Sequence, residues 1–136
     1  IHLKERKFKM YQLQTKRIYA ENADTDGFRI LTDRLWPRGI SKERAAIDLW
    51  AKDISPSTYL RKWFNHEEAL YPKFREQYRD ELEKNPDKDD FIKTVKEQLT
   101  KDNVTLLFGA KEEKLNQATV LKEWLEEKME RSSCRY

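Results

Sequence analysis

The run Val104-Thr105-Leu106-Leu107-Phe108-Gly109-Ala110 is nearly unbroken in apolar character. A run of strand length without polar alternation fits a central strand covered on both faces, as in a mostly parallel sheet flanked by helices. Other segments supply the neighbours that such a strand needs. Tyr11, Leu13 and Thr15 alternate with Gln12, Gln14 and Lys16, which predicts a first strand with one buried face. Phe28 to Leu35 predicts a second, ending at Trp36-Pro37, and Asp48 to Ile54 a short third.

Helices are predicted between and after these strands. Ser41 is placed to cap a short helix through Ile47, and Ser55-Pro56 to open one carrying Leu60, Trp63 and Phe64 on one side. Spacings of three and four among Tyr71, Phe74, Tyr78 and Leu82 predict a longer helix from Glu68 to Lys84, stopped by Asn85-Pro86. Phe91, Ile92, Val95 and Leu99 mark the next helix, starting at Asp87, and Ala118, Leu121, Leu125 and Met129 the last, starting at Asn116. Strands alternating with helices predict a single α/β domain built on a small, mostly parallel or mixed sheet. The link from Tyr19 to Phe28 is too short for a helical crossover. The first two strands are therefore either an antiparallel pair or not neighbours.

Composition narrows the class. Charged residues (39%) slightly outnumber apolar ones (38%), yet four Trp, six Tyr and six Phe are too many for a disordered polar chain. A net charge of +3 creates no global field toward nucleic acid or membrane, so any anion preference must be local. The single cysteine, Cys134, excludes a disulfide framework and a cysteine metal cluster, and fits a reducing, cytoplasmic compartment. No apolar run approaches the ~20 residues needed to span a bilayer, so no membrane association is expected. Ile1 to Lys9 is basic and ends just before Met10, a candidate start. Residues 1–9 are expected to be a disordered or added extension, residues 10–131 the domain, and residues 132–136 a tail.

Three groups of residues can carry chemistry. The first is Asp33-Arg34-Leu35-Trp36-Pro37-Arg38-Gly39-Ile40, directly after the second strand, where ligands of open α/β sheets collect. Arg34 and Arg38 can fork around a phosphate or carboxylate, Gly39 permits close backbone approach, and Trp36 offers a stacking face. An ion-paired turn, with Arg34 on Asp33 or Asp53, is the competing reading. The second group joins the central strand to the last helix. There Lys111 and Asn116 can meet an anion at the helix N-terminus, or Asn116 can simply cap it. The third is Arg61, Trp63 and His66. His66 is suited to general acid or base work near neutral pH, or to capping the end of its helix.

Other chemistries are excluded. Gly27, Gly39 and Gly109 are the only glycines, too few for a Walker loop or a dinucleotide fingerprint. Asp24-Thr25-Asp26-Gly27 lacks the later ligands of a calcium loop. No metal site and no cofactor are expected. The leading expectation is one pocket lined by Arg34, Arg38, Lys111 and Asn116 for a small anionic ligand, such as a nucleotide or phosphorylated metabolite, with Trp36 or Trp63 against its flat part. In an enzyme, Asp33 or Asp53 would be the base and His66 the reserve. The alternative is a non-catalytic module that binds nucleic acid or a partner protein; oligomeric state is left open.

The stretch Asp33 to Glu43, with Leu49-Trp50-Ala51-Lys52-Asp53-Ile54-Ser55-Pro56-Ser57, Leu60-Arg61-Lys62-Trp63-Phe64, Phe74-Arg75-Glu76-Gln77-Tyr78 and Val104-Thr105-Leu106-Leu107-Phe108, closely resembles the YeaO-like family of bacterial domains of unknown function. The match covers most of Tyr11 to Leu125. It implies a compact cytoplasmic α/β domain and carries over no established reaction. Related families carry cysteine and histidine in the loop corresponding to Lys111 to Gln117. Asn116-Gln117 stand there in this chain, which argues against thiol chemistry.

Overall fold

The computed structural model describes residues 11–133. The extension expected at residues 1–9 and the end of the expected tail, Cys134 included, lie outside the described residues. Four strands, β1 (Leu13–Arg17), β2 (Phe28–Leu31), β3 (Leu49–Trp50) and β4 (Val104–Phe108), form one sheet in the order β1-β4-β2-β3. All pairings are parallel, with Leu13 opposite Val104, Phe28 opposite Val104 and Ile30 opposite Leu49. The apolar run is therefore the central strand, and each of its five residues is buried. β1 and β2 are not neighbours; they flank β4 from opposite sides.

Five α-helices surround the sheet among the described residues: α1 (Lys42–Ala45), α2 (Thr58–Phe64), α3 (Tyr71–Lys84), α4 (Lys88–Leu99) and α5 (Gln117–Ser133). One face of the sheet contributes Ile30, Val104, Leu106 and Phe108 to the main core, where they meet Phe74, Tyr78, Val95, Leu121 and Trp124 from the helices. Fully burying one such side chain is worth roughly 1.5–3 kcal/mol, so this face supplies most of the apolar stabilisation. The other face carries a smaller cluster, Ile18, Leu31, Ala45 and Leu107, with Trp36, Ile40, Ile47 and Trp50 packed against it.

Several element ends differ from expectation for local reasons. β2 stops at Leu31 because Thr32 donates its N–H (3.0 Å) and its hydroxyl (2.7 Å) to Leu107 O, closing the ladder before the chain turns over the sheet's end. β3 is only two residues long, and a 3-10 turn at Lys52–Ile54 follows it. Ser57, rather than Ser55, caps α2, accepting the Leu60 N–H at 3.1 Å. The predicted helix from Glu68 divides into a 3-10 turn at Glu68–Leu70 and α3 from Tyr71. Pro72 explains that division: it lacks an N–H and is tolerated only in the first turn of an α-helix. Asn116 caps α5, its Oδ1 accepting the Thr119 N–H at 3.1 Å.

The short link between β1 and β2 is held by a buried charge cluster. Asp26, 3% exposed, accepts Lys16 Nζ at 2.9 Å, the Ala23 N–H at 3.0 Å and the Arg29 guanidinium. Arg29 also donates from Nε and Nη2 to Ala45 O, at 3.1 and 2.9 Å. Gly27 follows with φ +62°, and a Cβ there would lie 2.0 Å from Asn103 O. Only glycine fits that approach of the link to the start of β4.

Candidate functional site

Beyond the carboxyl ends of β2 and β4 lies a cavity of about 200 Å³ whose wall includes Asp33, Arg34, Arg61, His66 and Gln117. Its position follows from the topology, because parallel strands deliver their following loops to one end of the sheet. Thr32, which follows β2, brings Asp33 directly over the end of β4. There Asp33 Oδ2 accepts the Gly109 N–H at 2.8 Å, and Oδ1 accepts the Gln117 side-chain amide. Gly109 is needed for this contact, since a Cβ on it would sit 2.9 Å from Asp33 Oδ2. The N–H that follows the central strand is thus met by the chain's own carboxylate.

Burial pushes the Asp33 carboxyl up to about 6 from its ordinary 3.8; the Gly109 N–H, the Gln117 amide and the positive charge of Arg61 offset only part of that rise. A carboxyl poised in this way, in a cavity, marks a candidate site.

Arg61 stands on α2, whose start is fixed by Ser57: its hydroxyl donates to Glu81 Oε2 at 2.6 Å and its N–H to Oε1 at 2.9 Å. The Arg61 Nε is buried and has no hydrogen-bond partner among the described residues. Arg34, by contrast, is partly committed, donating from Nε to Pro56 O at 2.9 Å and from Nη2 to Ser55 O at 3.2 Å. It ties the end of β2 to the start of α2 while still lining the cavity. The apolar wall is Phe64 stacked on Phe74, with centroids 4.2 Å apart, together with Leu35, which is 58% exposed. Asn65 caps α2, donating its N–H to Arg61 O at 3.0 Å, so His66 does not fill that role. Both residues adopt left-handed backbone, φ 46° and 58°. His66 is exposed, and its ring lies 6.2 Å from that of Phe64.

The cavity therefore brings together Asp33, Arg34, Arg61 and His66, drawn from two of the groups singled out in the sequence. The other candidates lie elsewhere. Trp36 donates to Ile40 O at 2.7 Å and meets Trp50 edge-on, 5.4 Å between centroids, in the smaller core. Trp63 packs on the main core. Arg38 and Gly39 are exposed in a turn where Gly39 has φ +78°, and the Arg38 carbonyl accepts the Tyr19 hydroxyl at 2.8 Å. Lys111 and Asp53 are exposed and outside the cavity wall. Asn116, 1% exposed, spends its side chain on the α5 cap and on Glu112 O at 2.8 Å. Gln117 and Phe64 complete the wall without a recognisable signal in the sequence. Phe64 falls on a core-facing helix position, and Gln117 carried no signal beyond following the cap.

Among the described residues no group of three or more His, Cys, Asp or Glu side chains gathers as a metal site, and no helix is long and apolar enough to cross a membrane.

Comparison with known proteins gives a family and adds no reaction. A family model described as "Inactive DUF488-N3 subclade" matches residues 12–135. The uncharacterized protein YeaO of Escherichia coli K12 is 46% identical over 113 residues, covering 83% of this chain and 96% of that protein. An uncharacterized protein of Mycobacterium tuberculosis H37Rv is 37% identical over 71 residues, covering 52% of this chain and 60% of that protein. No solved structure matches. The chain belongs to the inactive DUF488-N3 subclade, as a YeaO-like domain of the α/β class.

Proposed function

We propose that this domain is a non-catalytic receptor for a small anionic ligand, held in the cavity beyond the ends of β2 and β4. The observation that carries this reading is the pair of guanidinium groups, Arg34 and Arg61, that line this cavity. A guanidinium pairs with a carboxylate or phosphoryl group through charge-assisted, often bidentate, hydrogen bonds. Together the two make the cavity wall net positive even with Asp33 ionised.

Three features support binding over turnover. The Thr32 hydroxyl in the cavity wall donates to Leu107 O and is not paired with a base. Both Asp33 oxygens are braced by donors from the chain. The family description, finally, is of an inactive subclade. About 200 Å³ is below the roughly 300–1,000 Å³ of sites for drug-sized ligands. The cavity is therefore matched to a carboxylate or phosphoryl group with a short body, and a nucleotide or phosphorylated metabolite would place only one end in it.

Thermal unfolding with phosphate, sulfate and small carboxylates tests this reading. A ligand at 100 times its Kd adds about 2.7 kcal/mol of stability. The expected result is a shift in the native protein that Arg61→Ala abolishes and Arg38→Ala leaves in place. An equal shift in Arg61→Ala, or none with any anion, overturns it. Strongly salt-dependent binding of mixed oligonucleotides, indifferent to Arg61→Ala, would instead establish a nucleic-acid module.

A further inference from the structure

We propose that the ligand of this cavity is bifunctional: a small aromatic or branched acid whose anionic group meets Arg61 and whose other end presents a neutral N–H or O–H donor to Asp33. This rests on the anion-receptor reading above and names the class of molecule that the same cavity selects.

Three properties of the wall carry it. Arg61 and Asp33 both line the cavity, and the Arg61 charge acts on the Asp33 carboxylate. The wall therefore offers a cationic donor and an anionic acceptor, which a plain anion satisfies only by half. Asp33 also has acceptor capacity left. A carboxylate offers about four lone-pair positions, and Gly109 and Gln117 supply one donor each. Burial outweighs those two donors and the Arg61 charge in setting its proton affinity, so the carboxylate is under-solvated as it stands. A third donor, arriving with the ligand, completes its coordination. A second acidic group in that position meets like charge and is rejected.

The third property is the apolar part of the same wall. The Phe64 ring, stacked on Phe74, and the exposed Leu35 provide an apolar wall suited to a flat or branched hydrocarbon body. Thr32 adds no competing hydroxyl donor, since its own is committed to Leu107 O. The combination discriminates at both ends and is permissive in the middle.

A matched set of probes tests the inference on the native protein: benzoate, 3-hydroxybenzoate and isophthalate, with Kd measured by calorimetry at one pH and salt concentration. They share the acid and the ring and differ only in having no donor, a donor or a second acid. The expected order is 3-hydroxybenzoate tightest, benzoate about 10- to 100-fold weaker, and isophthalate weakest. That interval is what one hydrogen bond to a charged group commonly contributes. In Asp33→Asn the preference for 3-hydroxybenzoate over benzoate should fall to within about threefold, and isophthalate should gain. Equal affinity for all three in the native protein overturns the bifunctional ligand while leaving the anion receptor standing. Absence of binding by all three, together with absence of any shift by phosphate or sulfate, overturns both. The native protein's selectivity needs no variant to fold, and an Asp33→Asn protein that keeps the full preference also refutes the role given to Asp33.

Discussion

Two buried carboxylates, Asp26 and Asp33, lie toward opposite ends of the same strands and are treated in opposite ways. Asp26, beside the start of β4, receives Lys16, Arg29 and the Ala23 N–H. Burial raises its proton affinity, but the hydrogen bonds from Lys16 and Ala23 and the charges of Lys16 and Arg29 outweigh that, and the carboxyl is held below its ordinary range. Asp33, beyond the end of β4, receives one backbone N–H and one amide, and burial wins. The first carboxylate is neutralised by two cations within reach and serves the fold. The second is braced in position but left short of charge and donors, facing a cavity. The number of cations within reach separates the structural carboxylate from the candidate functional one.

Each carboxylate depends on a nearby glycine, and the two glycines give the widest contrast in stability. Gly27→Ala places a Cβ 2.0 Å from the Asn103 carbonyl, which is backbone, at φ +62°. Nothing there can move aside without breaking the Phe28 N–H bond to Asn103 O at 2.8 Å. A loss above about 4 kcal/mol, or failure to fold, is expected in urea denaturation. A loss under about 1 kcal/mol would show that the link is softer than its packing indicates. Asp26→Asn is next. It leaves Arg29, 5% exposed, without its anion, and removing one partner of a buried pair costs roughly 3–5 kcal/mol. The urea midpoint at neutral pH measures it, and a change below about 1 kcal/mol would remove the contrast with Asp33.

β4 is legible in the sequence because its unbroken apolar run, Val104 to Phe108, has few alternatives, and α3 and α4 because Tyr71-Phe74-Tyr78 and Phe91-Val95-Leu99 repeat at helical spacing. Asp33 and Arg34 are legible as candidates because a chemically dense stretch follows a strand. Their roles are not. Asp33 is fixed by Gly109 and Gln117, 76 and 84 residues away, and that contact exists only once β2 and β4 are in register. Arg34 proves to be tied to the carbonyls of Ser55 and Pro56, which no local pattern encodes. Trp36 has an equally ambiguous signature, since an aromatic after a strand can stack on a ligand or pack under a turn. Its edge-on contact with Trp50 reflects which face of β3 the turn crosses. Arg38 and Lys111 are adjacent to the right strand ends in sequence, and their exposure follows from loops that turn outward.

Gly109→Ala sharpens the comparison from the other side. Its Cβ would meet Asp33 Oδ2 at 2.9 Å, the end of a side chain that can swing away. The expected loss is about 1–2 kcal/mol, far less than at Gly27, because one hydrogen bond is broken and no backbone is displaced. The 3-hydroxybenzoate preference should weaken with it, as in Asp33→Asn. Retention of full stability and full preference would mean that the Gly109 N–H does not position the carboxylate.

The smallest effect in neutral buffer, and the most specific, is expected for Asp33→Asn. An amide keeps an acceptor for Gly109, and rotation of the Gln117 amide restores the second bond, so any loss of stability at neutral pH should be no more than about 1 kcal/mol, and removal of the under-solvated charge acts in the variant's favour. Its signature is in the pH dependence. The folded protein holds the Asp33 proton up to about pH 6, whereas the ordinary value is 3.8. Between these values the folded state binds more protons than the unfolded state, so the contribution of Asp33 makes stability fall as pH rises from about 4 to 6. Asp26 has the reverse sign. Its folded-state value lies below 3.8, and the stability it confers is present above that pH and lost as pH falls through its lowered value. Denaturation of the native protein and of Asp33→Asn at pH 4, 5, 6 and 7 separates the two carboxylates. The difference between the proteins should shift steadily in favour of the variant with rising pH and level off above about 6. A pH-independent difference would show that Asp33 is as well compensated as Asp26, and would remove the ground for treating its end of the sheet as a binding site.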